Sequence, residues 1–266
     1  MCLILIAHKP DPLKRLIIAA NRDEFLARPT QAMHFWEDHP DILAGKDLVG
    51  GGTWLGMNKN GRFAALTNYR DPSAQKPDPP SRGTIITDYL DSRLPPKAFI
   101  DELKKGSHRF NGFNLLIGNR DTLYWFSNMA PEAKQLPPGI YGVSNHLLDT
   151  PWPKVSKGKK ALATVLAQEK KFTMAPLFSM LADTKTPLDN ALPDTGVGKE
   201  WERILGPIFI NSPAYGTRAS TVIVMDEKGA VDVCERSFNR KNNREYSEEG
   251  FSFQTQPGTG TASGAL

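Results

Sequence analysis

The chain has 266 residues, of which 39% are hydrophobic and 23% charged, and its net charge is +4. This is enough apolar material for a substantial core and excludes general disorder, while the small, scattered basic excess gives no reason to expect a nucleic-acid partner. Its two cysteines, Cys2 and Cys234, exclude a disulfide framework and favour a reducing compartment.

The apolar run after Met1 is too short for a signal peptide or a membrane span and has no basic flank. We therefore expect a cytoplasmic protein. The densest basic run, from Lys154 to Lys160, adjoins a predicted helix and is expected on a solvated face.

Four β-hairpins are predicted along the chain. The first pairs residues 3–7 with 16–20, and both segments are apolar at every position, which indicates burial on both faces. The other predicted pairs are 53–57 with 62–66, 113–118 with 123–126, and 220–225 with 231–234. Helical patterns lie between them, at 85–90, 97–105, 155–168 and 175–182.

This order of elements predicts an α+β fold of stacked sheets covered by helices. We expect one domain over residues 1–249 and a disordered, Gly-, Ser- and Thr-rich tail over residues 250–266. The proline-rich segment 71–83 is predicted to be a long surface loop that could serve as a lid. We found no motif for a metal, a nucleotide or another cofactor.

Cys2 is the first candidate for chemistry. Once Met1 is removed, this residue carries both a thiol and a free α-amine, whose pKa of about 7.7–8.0 suits a base near neutral pH. The competing interpretation is a small apolar residue that begins a buried strand.

Polar residues follow several predicted strands. Asn21, Arg22 and Asp23 end the second strand, which an antiparallel hairpin places beside Cys2. There Asp23 could hold the protonated amine, and Arg22 could stabilise a developing negative charge. Asn68 and Asn145 each follow an apolar run, where a side-chain amide could donate to an oxyanion or could serve a turn.

These features occur in a specific order along the chain. The motifs are Met1-Cys2, Asn21-Arg22-Asp23-Glu24, Gly51-Gly52-Thr53-Trp54, Thr67-Asn68-Tyr69-Arg70, Ser81-Arg82-Gly83, Pro151-Trp152-Pro153-Lys154 and Tyr215-Gly216-Thr217-Arg218. Together they resemble the NRDE family, which is related to transport and Golgi organisation protein two. That family in turn resembles the cysteine branch of the N-terminal nucleophile hydrolases, which contains bile salt hydrolases and penicillin V acylases.

The resemblance implies a four-layer αββα sandwich with two mainly antiparallel sheets. It matches Cys2 to the nucleophile, Arg22 and Asp23 to the charged pair beside it, and Asn68 and Asn145 to two asparagines of the site. It also matches Arg218 to a late arginine near the nucleophile. Trp54, Tyr69 and His146, with Asn21, are candidates for contact with substrate.

Two functions remain open at this point. The chain could be a hydrolase that cleaves an amide, ester or thioester of a small amphipathic molecule. It could instead be a binding or trafficking protein for haem or an acyl compound, as implied by links of the family to haem trafficking and lipid metabolism. A retained nucleophile with its polar neighbours favours the enzyme.

Overall fold

Two antiparallel sheets stacked face to face form the centre of the protein. The structure is a computed structural model, and it describes residues 2–168, 172–238 and 245–256. The strands, in chain order, are β1 (Cys2–His8), β2 (Lys14–Phe25), β3 (Thr30–Phe35), β4 (Ile42–Asp47), β5 (Leu55–Asn58), β6 (Phe63–Asn68), β7 (Phe113–Gly118), β8 (Leu123–Ser127), β9 (Lys134–Gln135), β10 (Gly139–Val143), β11 (Tyr215–Asp226), β12 (Ala230–Phe238) and β13 (Tyr246–Gln254). Sheet I has the order β10-β1-β2-β11-β12-β13, and sheet II has the order β3-β4-β5-β6-β7-β8-β9.

Helices cover the outer face of each sheet. Their bounds are α1 (Gly83–Asp91), α2 (Pro96–Gly106), α3 (Pro153–Gln168), α4 (Ala175–Leu181) and α5 (Lys199–Leu205). Helices α1 and α2 pack on sheet II, and α3 and α4 pack on sheet I. None of the helices in the described part of the chain is long and apolar enough to cross a membrane.

The apolar side chains form three layers, which explains why the first hairpin is apolar at every position. Alternate residues of β1 point to opposite faces. Ile4 and Ile6 fill the space between the two sheets, while Leu3 and Leu5 pack under α3 and α4. A third layer lies between sheet II and α1. The predicted α+β, αββα architecture is confirmed.

The four predicted hairpins are present, with shifted bounds. Strands β3, β4, β9 and β13 and helix α5 were not predicted, and β10 was indicated only by the apolar run before Asn145. The predicted tail was wrong at its start, because residues 250–254 belong to β13, which pairs with β12. Residues 257–266 lie outside the described residues.

Strand β2 continues to Phe25, so the Asn21–Glu24 tetrad lies within the last part of the strand. The β1–β2 register pairs Cys2 with Arg22 and Leu3 with Asn21. On its other side, β2 pairs with β11, where Thr217 lies opposite Asp23. These two ladders bring the amino-terminal strand, the tetrad and the start of β11 together.

Candidate active site

A cavity of about 300 Å³ lies where Cys2 begins sheet I. It is lined by charged, polar and apolar residues from both sheets, from the loop before α1 and from the start of α1. These residues are Cys2, Arg22, Asp23, Glu24, Arg28, Asp47, Gly50, Gly52, Thr53, Trp54, Leu66, Asn68, Pro79, Ser81, Arg82, Gly83 and Asn111. Five of the predicted site residues, Cys2, Arg22, Asp23, Trp54 and Asn68, are therefore brought together here.

The backbone of Cys2 is fixed on both sides. Its strand pairs with Arg22, and the hydroxyl of Ser144 donates a hydrogen bond of 2.9 Å to its carbonyl. Burial raises the pKa of the Cys2 thiol, and the negative charge of Asp23 adds to this effect. Arg22 and a hydrogen bond from the Asp23 amide oppose it. At neutral pH the thiol therefore keeps its proton, and attack on a carbonyl requires a base.

Asp23 is a buried carboxylate with a defined set of neighbours. Its Oδ1 accepts a hydrogen bond of 2.7 Å from Thr217 Oγ1, and its backbone carbonyl accepts one of 2.8 Å from the Tyr215 hydroxyl. Lys154 Nζ lies 3.9 Å from its Oδ2. Burial raises the pKa of the Asp23 carboxyl, while Lys154 and Thr217 counteract this rise.

Lys154 corrects one prediction. It begins the basic run that we expected on a solvated face, yet only 3% of it is exposed. Burial lowers the pKa of its ammonium group, and the charge of Asp23 opposes that effect. The Pro-Trp-Pro-Lys motif was the available signal, because Pro153 starts α3 and Lys154 is a buried residue of its first turn.

Arg22 is buried between the sheets and faces the cavity. Its guanidinium lies 4.4 Å from the Trp54 ring centre, donates to Thr30 Oγ1 at 3.1 Å, and is 3.7 Å from Asp47 Oδ2. Asp47 also accepts a bond of 2.9 Å from Arg28 Nε. Burial alone would raise the pKa of Asp47, but hydrogen bonds from the Gly50 amide and Arg28 lower it below its usual range.

The two predicted asparagines occupy different positions. Asn68 lines the cavity at the end of β6. Asn145 is fully buried behind it, and its side-chain amide donates a hydrogen bond of 2.9 Å to the Asn68 carbonyl. Asn145 therefore fixes the backbone that carries Asn68 and does not itself line the cavity.

Asn21 and Arg218 do not fit the roles predicted for them. The Asn21 amide donates at 2.9 Å to the carbonyls of both Leu181 and Ile208, on the helix-covered face of sheet I, because neighbouring residues of a strand face opposite sides. Arg218 lies at a register shift of β11, and its guanidinium donates to the carbonyls of Phe25, Leu26 and Arg28. It clamps the loop after β2 and does not line the cavity.

Tyr69 and His146 also lie outside the cavity lining. The Tyr69 and His146 rings contact each other with centres 5.0 Å apart. The His146 ring also contacts the Trp152 ring, with centres 5.8 Å apart. His146 Nδ1 is 2.9 Å from Thr150 Oγ1. Burial lowers the pKa of His146. This aromatic cluster packs the segment that follows β10 against the end of β6.

The sequence motif Ser81-Arg82-Gly83 supplies one wall of the cavity, which was not predicted. Arg82 Nη1 donates a hydrogen bond of 2.9 Å to the Gly112 carbonyl, and Asn111 holds the same loop by accepting from the Lys76 amide at 2.9 Å. Gly52 allows this wall to approach, because a Cβ there would lie 2.3 Å from the Gly83 carbonyl carbon.

In the part of the chain that the structure describes, no group of three or more His, Cys, Asp or Glu side chains is arranged to hold a metal ion. The arrangement instead offers a thiol, a buried carboxylate, three arginines and a side-chain amide around one small cavity. These groups can hold a carbonyl beside a nucleophile and stabilise negative charge on its oxygen.

Glu235 is a second buried carboxylate, between the sheets behind Arg22. It lines a smaller cavity of about 130 Å³ with Arg22 and Trp54. Its two oxygens accept from the Met33 amide at 2.8 Å and from Thr221 Oγ1 at 3.0 Å. Burial raises its pKa above the ordinary value of 4.5.

This raised pKa predicts that the free energy of unfolding falls as the pH rises, and that Glu235→Gln, which cannot ionise, lacks this fall. The folded state binds the proton more tightly than the unfolded chain, so the Glu235 contribution is most favourable below pH 4.5. It falls by about 1.4 kcal/mol per pH unit as the pH rises to the folded pKa. Urea unfolding of both proteins across this range measures the difference in their free energies of unfolding. A difference that stays constant with pH contradicts the prediction.

Comparison with known proteins identifies the family of this chain. The family described as "Transport and Golgi organisation 2" matches residues 1–240. The Transport and Golgi organization 2 homolog of Mus musculus is 33% identical over 276 residues, which cover 96% of this chain and 100% of that protein. The Homo sapiens homolog is 32% identical over the same shares of the two chains.

A solved structure shows the fold independently of sequence. The Caenorhabditis elegans ortholog of N-acylethanolamine-hydrolyzing acid amidase superposes with a TM-score of 0.50 at 12% identity, over 84% of this chain and 92% of that one. The fold is therefore that of the N-terminal nucleophile hydrolases. From the family match and these relatives, we conclude that the chain belongs to the Transport and Golgi organisation 2 family.

Proposed function

We propose that this protein is a hydrolase that uses the thiol of Cys2, after removal of Met1, to cleave an amide, ester or thioester bond of a small amphipathic molecule. The observation that carries the proposal is the lining of the Cys2 cavity. Cys2, Arg22, Asp23 and Asn68 all reach that one cavity. A nucleophile, a charge partner and oxyanion donors are the parts that acyl transfer requires.

In the first step, the α-amine of Cys2 accepts the thiol proton while the sulfur bonds to the substrate carbonyl carbon. The raised pKa of the thiol makes this base necessary, and an amine with a pKa of about 7.7–8.0 is suited to the task. Asp23 then stabilises the ammonium group that forms. Thr217 and Lys154 hold the Asp23 carboxylate in position for that role.

The carbonyl oxygen becomes negatively charged in this step, and the Asn68 side-chain amide and Arg22 are its proposed donors. One such donor contributes about 2.7–4 kcal/mol in a working site. When the intermediate collapses, the bond to the leaving group breaks and the ammonium returns its proton to that group. Water then attacks the thioester and passes one proton to the amine. When the C–S bond breaks, the ammonium gives that proton to sulfur, which releases a carboxylic acid and restores the thiol and the neutral amine.

Mass spectrometry of the untagged protein tests this proposal. We expect an intact mass that lacks one methionine. After brief reaction with 4-nitrophenyl butyrate and an acid quench, we expect one butyryl group on the amino-terminal peptide. Cys234 is the internal control, because burial raises the pKa of its thiol to about 11 and suppresses its reactivity at neutral pH.

Two results contradict the proposal. If Met1 is retained, the amine is one residue away from the thiol and the base of the first step is missing. If Met1 is absent but butyryl groups divide equally between Cys2 and Cys234, the Cys2 site has no special reactivity. Either result would make ligand carriage, of haem or an acyl compound, the leading function.

A further inference from the structure

The charged side chains around the Cys2 cavity are almost all paired. Asp47 contacts Arg28 at 2.9 Å and Arg22 at 3.7 Å. Glu24 lies 4.0 Å from Arg28, and the Asp23 carboxylate lies 3.9 Å from Lys154. The three acidic groups of the cavity are thus matched by cations.

Arg82 differs from the other charged residues of this cavity. Among the described residues, it has no carboxylate within ion-pair distance, and its hydrogen bond goes from Nη1 to the Gly112 carbonyl at 2.9 Å. It is partly exposed and lines the cavity together with Cys2. A guanidinium has five N–H donors, so most of its donor capacity remains for a ligand.

Arg82 is partly removed from solvent. Burial lowers the pKa of its guanidinium, while the thiolate form of Cys2 and the Glu24 carboxylate oppose this effect. Partial desolvation makes a charge-charge contact stronger than it is in bulk water. The hydrogen bond to Gly112, next to the Asn111 contact that holds the loop, keeps the group from turning away.

We propose that Arg82 binds a carboxylate on the leaving group of the substrate, so that the bond presented to Cys2 belongs to an acyl derivative of an anionic alcohol, amine or thiol. This inference rests on the proposed function, because it names the substrate class of the same site. The planar guanidinium fits a carboxylate with two parallel hydrogen bonds. Trp54, Leu66 and Pro79 supply the apolar part of the walls.

The volume of the cavity limits how much of the substrate it holds. About 300 Å³ is at the lower end of the range for small-molecule sites. It accommodates the carboxylate and the atoms around the scissile bond, and a longer acyl chain extends beyond it. Recognition therefore depends on the charged end of the substrate.

A matched pair of esters tests the inference. The butyrate esters of 3-hydroxybenzoic acid and of 3-hydroxybenzamide differ by one carboxylate in place of an amide. For the wild type we expect kcat/KM to be at least about tenfold higher for the acid, which corresponds to about 1.4 kcal/mol. Arg82→Gln is expected to bring the ratio close to one, and Arg82→Lys to retain part of it.

Arg120→Gln is the matched control, because Arg120 is exposed in the turn between β7 and β8. It should keep the wild-type ratio. Since Arg82 also holds a backbone carbonyl, thermal unfolding of each variant shows whether it is folded. A wild-type ratio of one overturns the inference without any variant.

Binding separates this inference from the proposed function. Calorimetry on Cys2→Ala measures the Kd of 3-hydroxybenzoate and of 3-hydroxybenzamide without turnover. If neither ester is hydrolysed but the acid binds about tenfold more tightly and Arg82→Gln removes the difference, the hydrolase proposal fails and the anion site stands. Equal binding of the two probes overturns the anion site, whatever the turnover.

Discussion

Replacement of Cys2 by Ala is expected to reduce kcat/KM for 4-nitrophenyl butyrate by a factor on the order of 10³ or more, because it removes the atom that bonds to the acyl group. Cys2 is the first residue of β1 and is half-buried as a whole, and Ala removes only its sulfur atom. We therefore expect a small change in stability, so that loss of activity and loss of folding remain separable. Steady-state kinetics and thermal unfolding measure the two effects.

Two further variants make this comparison specific. Cys2→Ser retains a nucleophilic oxygen of lower reactivity and is expected to fall between the wild type and Cys2→Ala. Cys234→Ala removes the other thiol, which lies on β12 away from the cavity, and should leave kcat/KM within twofold. Equal activity of Cys2→Ala and the wild type would remove Cys2 from the mechanism.

The sheets could be predicted from sequence wherever apolar runs were continuous. The first hairpin is apolar on both faces, and β1 and β2 were recognised for that reason. Strand β13 was missed because it is largely exposed at the edge of sheet I and has almost no apolar periodicity. Strand β10 contains two glycines in five residues, so its pairing with β1 defines it more clearly than its composition does.

The predicted site residues separate according to what determines their position. Pairing of Cys2 with Arg22 follows from antiparallel geometry, and the alternation of side chains along a strand places Asn21 on the opposite face. Arg218 is directed away by the register shift in β11, and no pattern in one sequence reveals a bulge.

Lys154 and Arg82 were not recognised as site residues for a different reason. Each lies in a motif that was noted, but each acts through contacts between distant segments. Lys154 meets Asp23 across more than 100 residues of chain, and Arg82, which lines the cavity, donates a hydrogen bond to the Gly112 carbonyl on a separate segment. Charge in sequence indicates a solvated face by default, and only packing shows the exception.

The segment that carries Asn68 depends on a buried ion pair. Arg70 lies two residues after Asn68, and its Nη1 is 2.6 Å from Oε2 of Glu202 in α5. The two side chains are 6% and 4% exposed. The Arg70 amide also donates to the Asn145 carbonyl at 2.8 Å. Glu202 Oε1 accepts from the Thr195 amide at 2.9 Å, so the carboxylate joins α5, the preceding loop and the end of β6.

Glu202→Gln is therefore expected to lower the free energy of unfolding by about 3–5 kcal/mol, because it removes the carboxylate that pairs with the buried Arg70 guanidinium. The double variant Arg70→Met, Glu202→Leu should recover part of this loss, since it removes both buried charges. Urea unfolding with a shared m-value measures each step.

The same helix provides the control. Arg203, the next residue along α5, pairs with Asp189 through exposed side chains. Asp189→Asn should leave the free energy of unfolding near the wild-type value, because solvent screens an exposed pair. Equal losses for Glu202→Gln and Asp189→Asn would show that burial of the Arg70–Glu202 pair contributes nothing special. A large loss for Glu202→Gln alone, accompanied by a fall in kcat/KM for the double variant, would show that α5 both stabilises the fold and positions Asn68.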